Sequence, residues 1–393
     1  MATTPVQDIP VFDSLVASCR EIAQDPEFAV AKRWLGEHPG KKAVGCFPVY
    51  CPVELVHASG MLPLGIIGAG NQIELANADS RFQSFVCSIV KSTLELGLTN
   101  RLKFVDGMLF HSICDPARNL STIFQRNFPG MYVAYIHFPQ HFSSVLGRQY
   151  LESEYQRILD GLKQRSGHAA TAGDLNQSIR LYNRIRAGFR EIYRIRTEAP
   201  HLISAAESFV LTRASTLMAP EDFLNILEQV LAELPGRPTR PKDRIRVILE
   251  GSFCELPPVG LIETLEEAGC YILDDDFLRG WRWFTEDVPI RDNPLAALAE
   301  SYSERAYYSG TKHDSREAKA AHLIRLVKEK KADAVVMQAA KFCEPALFDY
   351  AVYRKALDDA RIPHLLLEFE EKTWIFDRAR SEAETFVESL LFD

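Results

Sequence analysis

Apolar positions follow two alternating patterns along this chain, namely short runs of strand length and longer stretches with a 3.6-residue period. In the first third, the apolar runs that predict strands are residues 43–50, 62–68, 103–110 and 131–138. Stretches with helical spacing lie between them, for example residues 88–98. Strands that alternate with helices and are rich in Val, Ile and Phe indicate a parallel sheet with both faces covered.

The middle of the chain shows the helical period alone. Residues 146–235 contain long amphipathic stretches, one of which ends at Pro200, and Pro220 is placed to start another helix. Residues 236–244, GRPTRPKDR, combine prolines, a glycine and charged residues and predict a solvated connector. The spacing therefore predicts an all-helical portion that ends in a linker.

The last third repeats the alternation of the first. Predicted strands lie at residues 245–251, 270–276, 332–339 and 363–370, with helices between them and a final helix over about 379–391. We therefore predict an α/β protein with two doubly wound, parallel-sheet domains of Rossmann-like topology and a helical insert between them. The predicted domains are residues 1–145, 146–240 and 241–393.

Composition adds limits on partners and location. The 393 residues suffice for two or three domains, and 47% hydrophobic with 25% charged residues is usual for a globular protein. A net charge of −8 and a pI near 5.8 argue against nucleic acid as a partner. Charged residues near the N-terminus do not fit a signal peptide, and no apolar run approaches the length of a membrane span. We therefore expect a cytoplasmic chain without a membrane partner.

One short element occurs twice and carries the clearest candidate chemistry. Residues 104–119 read FVDGMLFHSICDPARN and residues 334–346 read AVVMQAAKFCEPA. Each has an apolar run, a polar turn and then Cys-acid-Pro-Ala at the start of a helix, and the cysteines are Cys114 and Cys343. A thiol at a helix N-terminus lies beside unpaired N–H groups and the positive end of the helix dipole, which favours the thiolate.

Two thiolates placed alike in two halves of the chain predict a site for iron or zinc in the cleft between them. Both turns fall at the C-terminal ends of strands, where open parallel sheets bind their ligands. Cys87 precedes another predicted helix and is a weaker candidate from its spacing alone. The alternative interpretation is a set of structural thiols, because free cysteine is among the most buried residue types. The eight cysteines contain no CxxC pair, so a zinc ribbon is not indicated.

Other motifs give weaker signals. Residues 68–71, GAGN, are similar to a glycine-rich phosphate loop but lack the full spacing of the nucleotide-binding motifs, which favours a plain turn. No Walker A sequence is present, so any ATP used with this chain would be bound by another chain. Possible acid–base groups, each more often structural, are His57, His111, His137 and His141.

Longer stretches resemble a known family. Residues 45–98, from GCFPVYCPVELVHASG to VCSIVKSTLELGL, resemble the N-terminal domain of the 2-hydroxyacyl-CoA dehydratase and benzoyl-CoA reductase family. GMLFHSICDPARNLSTIFQRNFPGMYVAYIHFPQ continues the match, and LYNRIRAGFREIYRIR and MQAAKFCEPALFDY also fit. The resemblance extends from about residue 40 to the C-terminus. HSICDPARNL and YIHFPQ are most similar to the gamma-type subunit of ATP-dependent benzoyl-CoA reductases.

The resemblance implies a cofactor and its ligands. Family members hold an iron–sulfur cluster with three cysteines per subunit, and the matching positions are Cys87 in FVCS, Cys114 in SICDP and Cys343 in KFCEP. We therefore expect a 4Fe–4S cluster, with a double-cubane 8Fe–9S cluster as the alternative. Three thiolates on a four-iron cluster leave one iron open to another ligand. Cys46 and Cys51 are additional thiols to which the resemblance gives no role.

The resemblance also implies a reaction. The expected activity is reduction of the ring of benzoyl-CoA to a cyclic dienoyl-CoA by low-potential electrons, delivered from ferredoxin through a separate ATP-binding activator. The expected partners are that activator, a paralogous cluster subunit and an aromatic acyl-CoA substrate. The alternatives are a 2-hydroxyacyl-CoA dehydratase subunit, a cluster-bearing subunit that never contacts the acyl group, and a homodimeric double-cubane reductase.

Overall fold

The computed structural model describes residues 10–391 except 143, 252–253, 278–285, 307–308, 311, 313–316 and 371–373. In this part of the chain, eight strands form two separate four-stranded sheets in which all paired strands are parallel. Helices connect the strands and cover the sheets. The prediction of an α/β fold with two doubly wound parallel sheets is confirmed.

The first sheet follows two helices, α1 (Val11–Gln24) and α2 (Ala29–Glu37). Its strands have the order β2-β1-β3-β4 and comprise β1 (Ala43–Cys46), β2 (Leu62–Gly65), β3 (Gly107–His111) and β4 (Tyr132–Ile136). The connecting helices are α3 (Val53–Ala58), α4 (Ser88–Leu98) and α5 (Asp115–Asn127). The order reverses between β1 and β3, so the C-terminal ends of these two strands border the crevice where such sheets bind ligands.

A group of helices follows the first sheet and consists of α6 (Val145–Ser166), α7 (Ala172–Glu198), α8 (Ala205–Ala214) and α9 (Pro220–Glu233). The hydroxyls of Ser144, Thr171 and Ser204 cap the first three, and Pro220 begins the fourth as predicted. Helix α1 packs against α8 and α9, so it joins this group in space. Among the described helices, none combines the length and the apolar character that crossing a membrane requires.

The second sheet repeats the order of the first as β6-β5-β7-β8. Its strands are β5 (Ile245–Glu250), β6 (Cys270–Asp274), β7 (Ala334–Ala340) and β8 (His364–Phe369). Its helices are α10 (Val259–Glu267), α11 (Pro294–Glu304), α12 (Lys319–Lys330), α13 (Glu344–Asp359) and α14 (Asp377–Leu391). Because β7 occupies the place that β3 has in the first sheet, Cys114 and Cys343 follow equivalent strands.

The strands are shorter than most of the apolar runs that predicted them. Strand β1 ends at Cys46, whereas its apolar run continues to Tyr50. Val49 and Tyr50 have φ angles of 67° and 61°, left-handed values that a strand cannot contain. Such conformations are costly for side chains of this size and persist only where the surroundings impose them. The loop after β1 therefore turns away from the strand at the ligand-binding edge of the sheet.

A buried ion pair joins the helical group to the second sheet. Arg196 of α7 is fully buried, and it donates hydrogen bonds to Asp275 Oδ2 and to the carbonyl oxygen of Ile272 in β6, each at 2.7 Å. The Tyr193 hydroxyl also donates to Asp275. Because the two buried charges compensate each other, loss of one leaves the other without its counter-ion.

Replacement of Asp275 by Asn is expected to lower the free energy of unfolding by about 3–5 kcal/mol, because the Arg196 guanidinium then stays buried without a carboxylate. Urea denaturation followed by circular dichroism measures this difference. Arg184→Gln is the control, since Arg184 forms an exposed pair with Glu228, and its loss should cost about 1 kcal/mol or less. Equal effects of the two substitutions would contradict the role assigned to the buried pair.

Candidate metal centre

Three cysteines stand at the starts of three helices near the sheet edges. Cys87, Cys114 and Cys343 are the N-cap residues of α4, α5 and α13. Each sulfur interacts with the backbone N–H three residues further on, although none of these contacts is a regular cap hydrogen bond. The N–H groups concerned are those of Val90, Ala117 and Ala346. The first turn of each helix therefore presents a backbone N–H to a thiol, and the N–H of Val90 also donates to the Cys87 carbonyl oxygen at 3.3 Å.

Without a bound metal, burial is the main influence on the pKa values of these thiols. Burial raises the pKa of Cys87 and Cys114, and it raises the pKa of Cys343 to about 12. The neighbouring N–H groups lower the pKa of all three thiols, but by less than burial raises it. The helix N-termini therefore act in the direction predicted from the sequence, but burial has the larger effect. Metal binding would have to displace the protons, which makes metal affinity dependent on pH.

The same three cysteines line one cleft of about 1010 Å³. The first half of the chain contributes one wall, which includes Arg81 and Arg126, and residues 342–349 of the second half contribute the other. All three cysteines that the family resemblance selects thus meet at one place. The sequence pattern by itself predicts a shared cleft for Cys114 and Cys343, and the structure places them there.

A fourth cysteine, Cys254, lies close enough to interact electrostatically with all three thiols. It follows β5, which pairs with β7. The adjacent Glu255 carboxylate accepts hydrogen bonds from the Ser88 hydroxyl and, at 3.1 Å, from the Ile89 N–H, so the loop after β5 is held against the start of α4. Sequence reasoning does not select Cys254 or Glu255. The one signal is that Cys254 follows the first strand of its half, as Cys51 does in the other half.

The spacing of the thiols does not match a site for a single ion. Within the described residues, no three His, Cys, Asp or Glu side chains are close enough together to hold one metal ion. A polynuclear iron–sulfur cluster has a different requirement, because each thiolate binds a different iron. Cysteines that surround a shared cleft therefore suit a cluster better than a mononuclear zinc site.

The additional cysteines and the candidate acid–base histidines from the sequence analysis lie outside the cleft of the three cysteines. Burial and the nearby Cys46 thiol raise the pKa of Cys51 well above its ordinary value. His111 is fully buried, its Nε2 lies 3.1 Å from the Phe47 carbonyl oxygen, and burial lowers the pKa of the imidazole to about 4. His57 is hydrogen-bonded to side chains of α7 and α9 at 3.0 and 2.9 Å. None of the four candidate histidines lines the cleft of the three cysteines.

Comparison with known proteins shows the family of this chain. Residues 48–390 match the family described as 2-hydroxyglutaryl-CoA dehydratase, D-component. The chain belongs to this family. The match includes Cys87, Cys114 and Cys343 and excludes Cys46. The family predicted from the sequence is thereby confirmed.

Individual relatives align with nearly the whole length of this chain. It is 35% identical over 377 residues to the C subunit of benzoyl-CoA reductase of Thauera aromatica, which covers 96% of this chain and 98% of that protein. It is 30% identical over 387 residues to the beta subunit of (R)-2-hydroxyglutaryl-CoA dehydratase of Acidaminococcus fermentans, with 96% and 99% covered. It is 27% identical over 378 residues to the beta subunit of (R)-phenyllactyl-CoA dehydratase of Clostridium sporogenes, again with 96% and 99% covered. The relatives are all enzyme subunits, which supports the prediction of an enzyme subunit.

Glu255 is expected to make the free energy of unfolding depend on pH. Burial raises the pKa of its carboxyl from 4.5 to about 7, so between these values the folded chain keeps a proton that the unfolded chain has released. The stability that this carboxyl contributes therefore falls as the pH rises from about 4.5 to about 7, by about 3 kcal/mol at most. Glu255→Gln cannot ionise, so it should lose less stability than the wild type between pH 5 and pH 8 in urea denaturation.

The control for this measurement is Glu228→Gln, because Glu228 is exposed on α9. This substitution should leave the pH dependence of stability unchanged. If Glu255→Gln and the wild type lose the same stability over this range, the carboxyl does not ionise with a raised pKa in the folded chain.

Proposed function

We propose that this family member is the iron–sulfur subunit of an ATP-dependent benzoyl-CoA reductase. The observation that carries the proposal is the meeting of Cys87, Cys114 and Cys343 at one cleft, in a chain that is 35% identical to the C subunit of a benzoyl-CoA reductase. The reaction adds electrons and protons to the aromatic ring of benzoyl-CoA and forms a cyclohexadiene-carbonyl-CoA. In this proposal the electrons come from ferredoxin through a separate ATP-binding activator, a division that agrees with the lack of a Walker A sequence in this chain.

The donor set of the cleft fits a 4Fe–4S cluster held by Cys87, Cys114 and Cys343. Thiolates are the usual protein ligands of such clusters, and three of them leave one iron for a further ligand. The cleft volume of about 1010 Å³ accommodates a group of this size. When bound, the cluster supplies electrons one at a time at a low potential, as reduction of an aromatic ring requires.

The residues around the cysteines influence the reduction potential of a bound cluster. The N–H groups that face the three sulfurs, together with the burial of the thiols, are the features by which a protein sets the potential of a cluster. Arg81 and Arg126 line the cleft together with Asp115 and Glu344, so charges of both signs act on the potential of a bound cluster. The chain therefore holds the electron carrier and tunes it through its own donors and charges.

Exposed apolar residues beside the cysteines support assembly with a partner subunit. Phe85 and Phe348 line the cleft and are 65% and 74% exposed, and Val352 on the same helix as Phe348 is 57% exposed. Exposed apolar surface of this kind marks protein interaction sites. We propose that this face is covered by a paralogous cluster subunit. The activator and ferredoxin then deliver electrons to the assembled pair.

A second candidate function is dehydration of a 2-hydroxyacyl-CoA, in which the transferred electron is recycled while water is eliminated. The family description and the relatives at 27–30% identity favour this candidate. A cluster-bearing subunit without contact to the acyl group and a homodimeric double-cubane reductase are further alternatives. The higher identity to a reductase subunit ranks the reductase first.

Single replacement of Cys87, Cys114 or Cys343 by Ala is expected to remove most of the iron from the anaerobically purified protein, because each thiol binds a different iron of one cluster. Iron and acid-labile sulfide analysis, with the visible absorbance, measures the loss. Cys19→Ala and Cys270→Ala are matched controls, since both thiols are buried outside the cleft and should not affect the iron content. Three variants with wild-type iron content would refute the ligand assignment.

Turnover separates the candidate functions. The chain is co-expressed with a candidate paralogous subunit, purified anaerobically and supplied with an ATP-binding activator and reduced ferredoxin. We expect ATP-dependent formation of a cyclic dienoyl-CoA from benzoyl-CoA, and no activity when the paralogous subunit is omitted. Formation of an enoyl-CoA from a 2-hydroxyacyl-CoA without ring reduction would favour the dehydratase. A fully active homodimer would favour the double-cubane alternative.

A further inference from the structure

Arg213, in the last turn of α8, is a part-buried cation without an acidic partner among the described residues. Its Nη1 lies 3.3 Å from Thr216 Oγ1, which itself donates to the Arg213 carbonyl oxygen at 2.8 Å. Burial lowers the pKa of its guanidinium to about 10, with no carboxylate to offset the effect. The buried arginines Arg186 and Arg196, in contrast, each pair with a carboxylate. A buried guanidinium that has no carboxylate partner can pair with an anionic ligand.

Arg213 lies where two cavities meet. The outer cavity has a volume of about 330 Å³, and the inner cavity has a volume of about 60 Å³. Arg213, Ile67 and Leu256 line both of them. The inner cavity is mainly apolar and also includes Cys254, which interacts with the three cysteines of the metal centre. Arg213 therefore lies between the outer cavity and the surroundings of Cys254.

The acidic residues of the outer cavity do not neutralise Arg213. Glu263 forms an ion pair with Arg20 at 2.8 Å. The carboxylate of Asp25 accepts hydrogen bonds from the backbone N–H groups of residues 27 and 29, and the carboxylate of Glu255 accepts them from residues 88 and 89. None of these acids pairs with Arg213, because Glu263 is paired with Arg20 and the oxygens of Asp25 and Glu255 face N–H and O–H donors.

The turn at residues 68–72 lines the same outer cavity. Gly68 and Gly70 have φ angles of 77° and 56°, which side chains rarely adopt, and the space on the side-chain side of Gly70 is open. Glycines at such positions let the backbone come close to a ligand. The sequence favours a plain turn here because the phosphate-loop spacing is incomplete. In the structure, this turn and an available arginine border one cavity.

We propose that Arg213 and the turn at residues 68–72 bind the phosphate groups of a CoA thioester at the outer cavity. This proposal rests on the proposed function, from which the acyl-CoA chemistry is taken. Arginine suits the role because its planar guanidinium binds phosphate oxygens with two parallel hydrogen bonds. This family member itself, rather than its partner subunit alone, then holds the substrate.

The test is anaerobic isothermal titration of CoA into the full chain assembled with its partner subunit. Arg213→Met should weaken CoA binding by about tenfold to a hundredfold, the effect of losing a hydrogen-bonded charge. Arg213→Lys should restore part of the affinity. Pantetheine, which lacks the phosphates, should bind equally to the wild type and Arg213→Met. Arg20→Met is the matched control, because Arg20 lines the same cavity but is paired with Glu263, and its CoA affinity should change by less than about threefold.

Equal CoA affinity of wild type and Arg213→Met would overturn the proposal, as would an equal loss of pantetheine binding. Inorganic phosphate that displaces CoA at equal concentration would also overturn it, because the site would then be a general phosphate site. If Arg213→Met does not fold, as judged by circular dichroism, Arg213→Gln removes the same charge and is judged by the same criteria.

Iron content and turnover, measured on the same preparations, separate this proposal from the proposed function. An iron-loaded assembly that reduces benzoyl-CoA but binds CoA independently of Arg213 refutes only the CoA site. An assembly without iron whose CoA affinity depends on Arg213 refutes only the iron–sulfur function.

Discussion

The backbone N–H groups at the starts of helices α4, α5 and α13 are the constraint on which the candidate metal centre depends. Each of these helices begins after an N-cap cysteine, and the sulfur interacts with a backbone N–H in the first turn. Without a metal, burial outweighs this effect and keeps the thiols protonated. The helix starts therefore prepare a place for thiolates, but a positive metal is needed to stabilise them.

Parallel topology brings these helix starts together. In each sheet the strand order reverses beside the first strand, and the cysteine-bearing turns after β3 and β7 lie at the C-terminal edge. The contact of Glu255 with Ser88 and Ile89 then fixes the second half against the first beside Cys87. Two similar sheets thus provide two walls of one cleft.

The surroundings of the cleft are the basis of the proposed substrate and partner contacts. Phe85 and Phe348 make one face apolar and exposed, as a partner interface requires. Arg213 and the inner cavity reach Cys254 from a separate opening. In the two proposals above, the electron donor and the CoA thioester are therefore placed at different openings of the molecule. Such a separation suits a low-potential reaction, in which the electron must reach the ring rather than solvent.

Local sequence patterns determined the strands, the helices and the placement of Cys114 and Cys343, because strand period and helix starts depend on neighbouring residues. Cys87 required the family resemblance, since its own surroundings are those of an ordinary helix start. Only the tertiary structure could reveal Cys254 and Glu255, because the contact of Glu255 with Ser88 joins residues 167 positions apart. It also decided that Arg213 and the turn at residues 68–72 border one cavity, and that burial rather than the helix dipole controls the thiol protons. Burial and long-range contacts depend on how the two halves pack, which no local pattern contains.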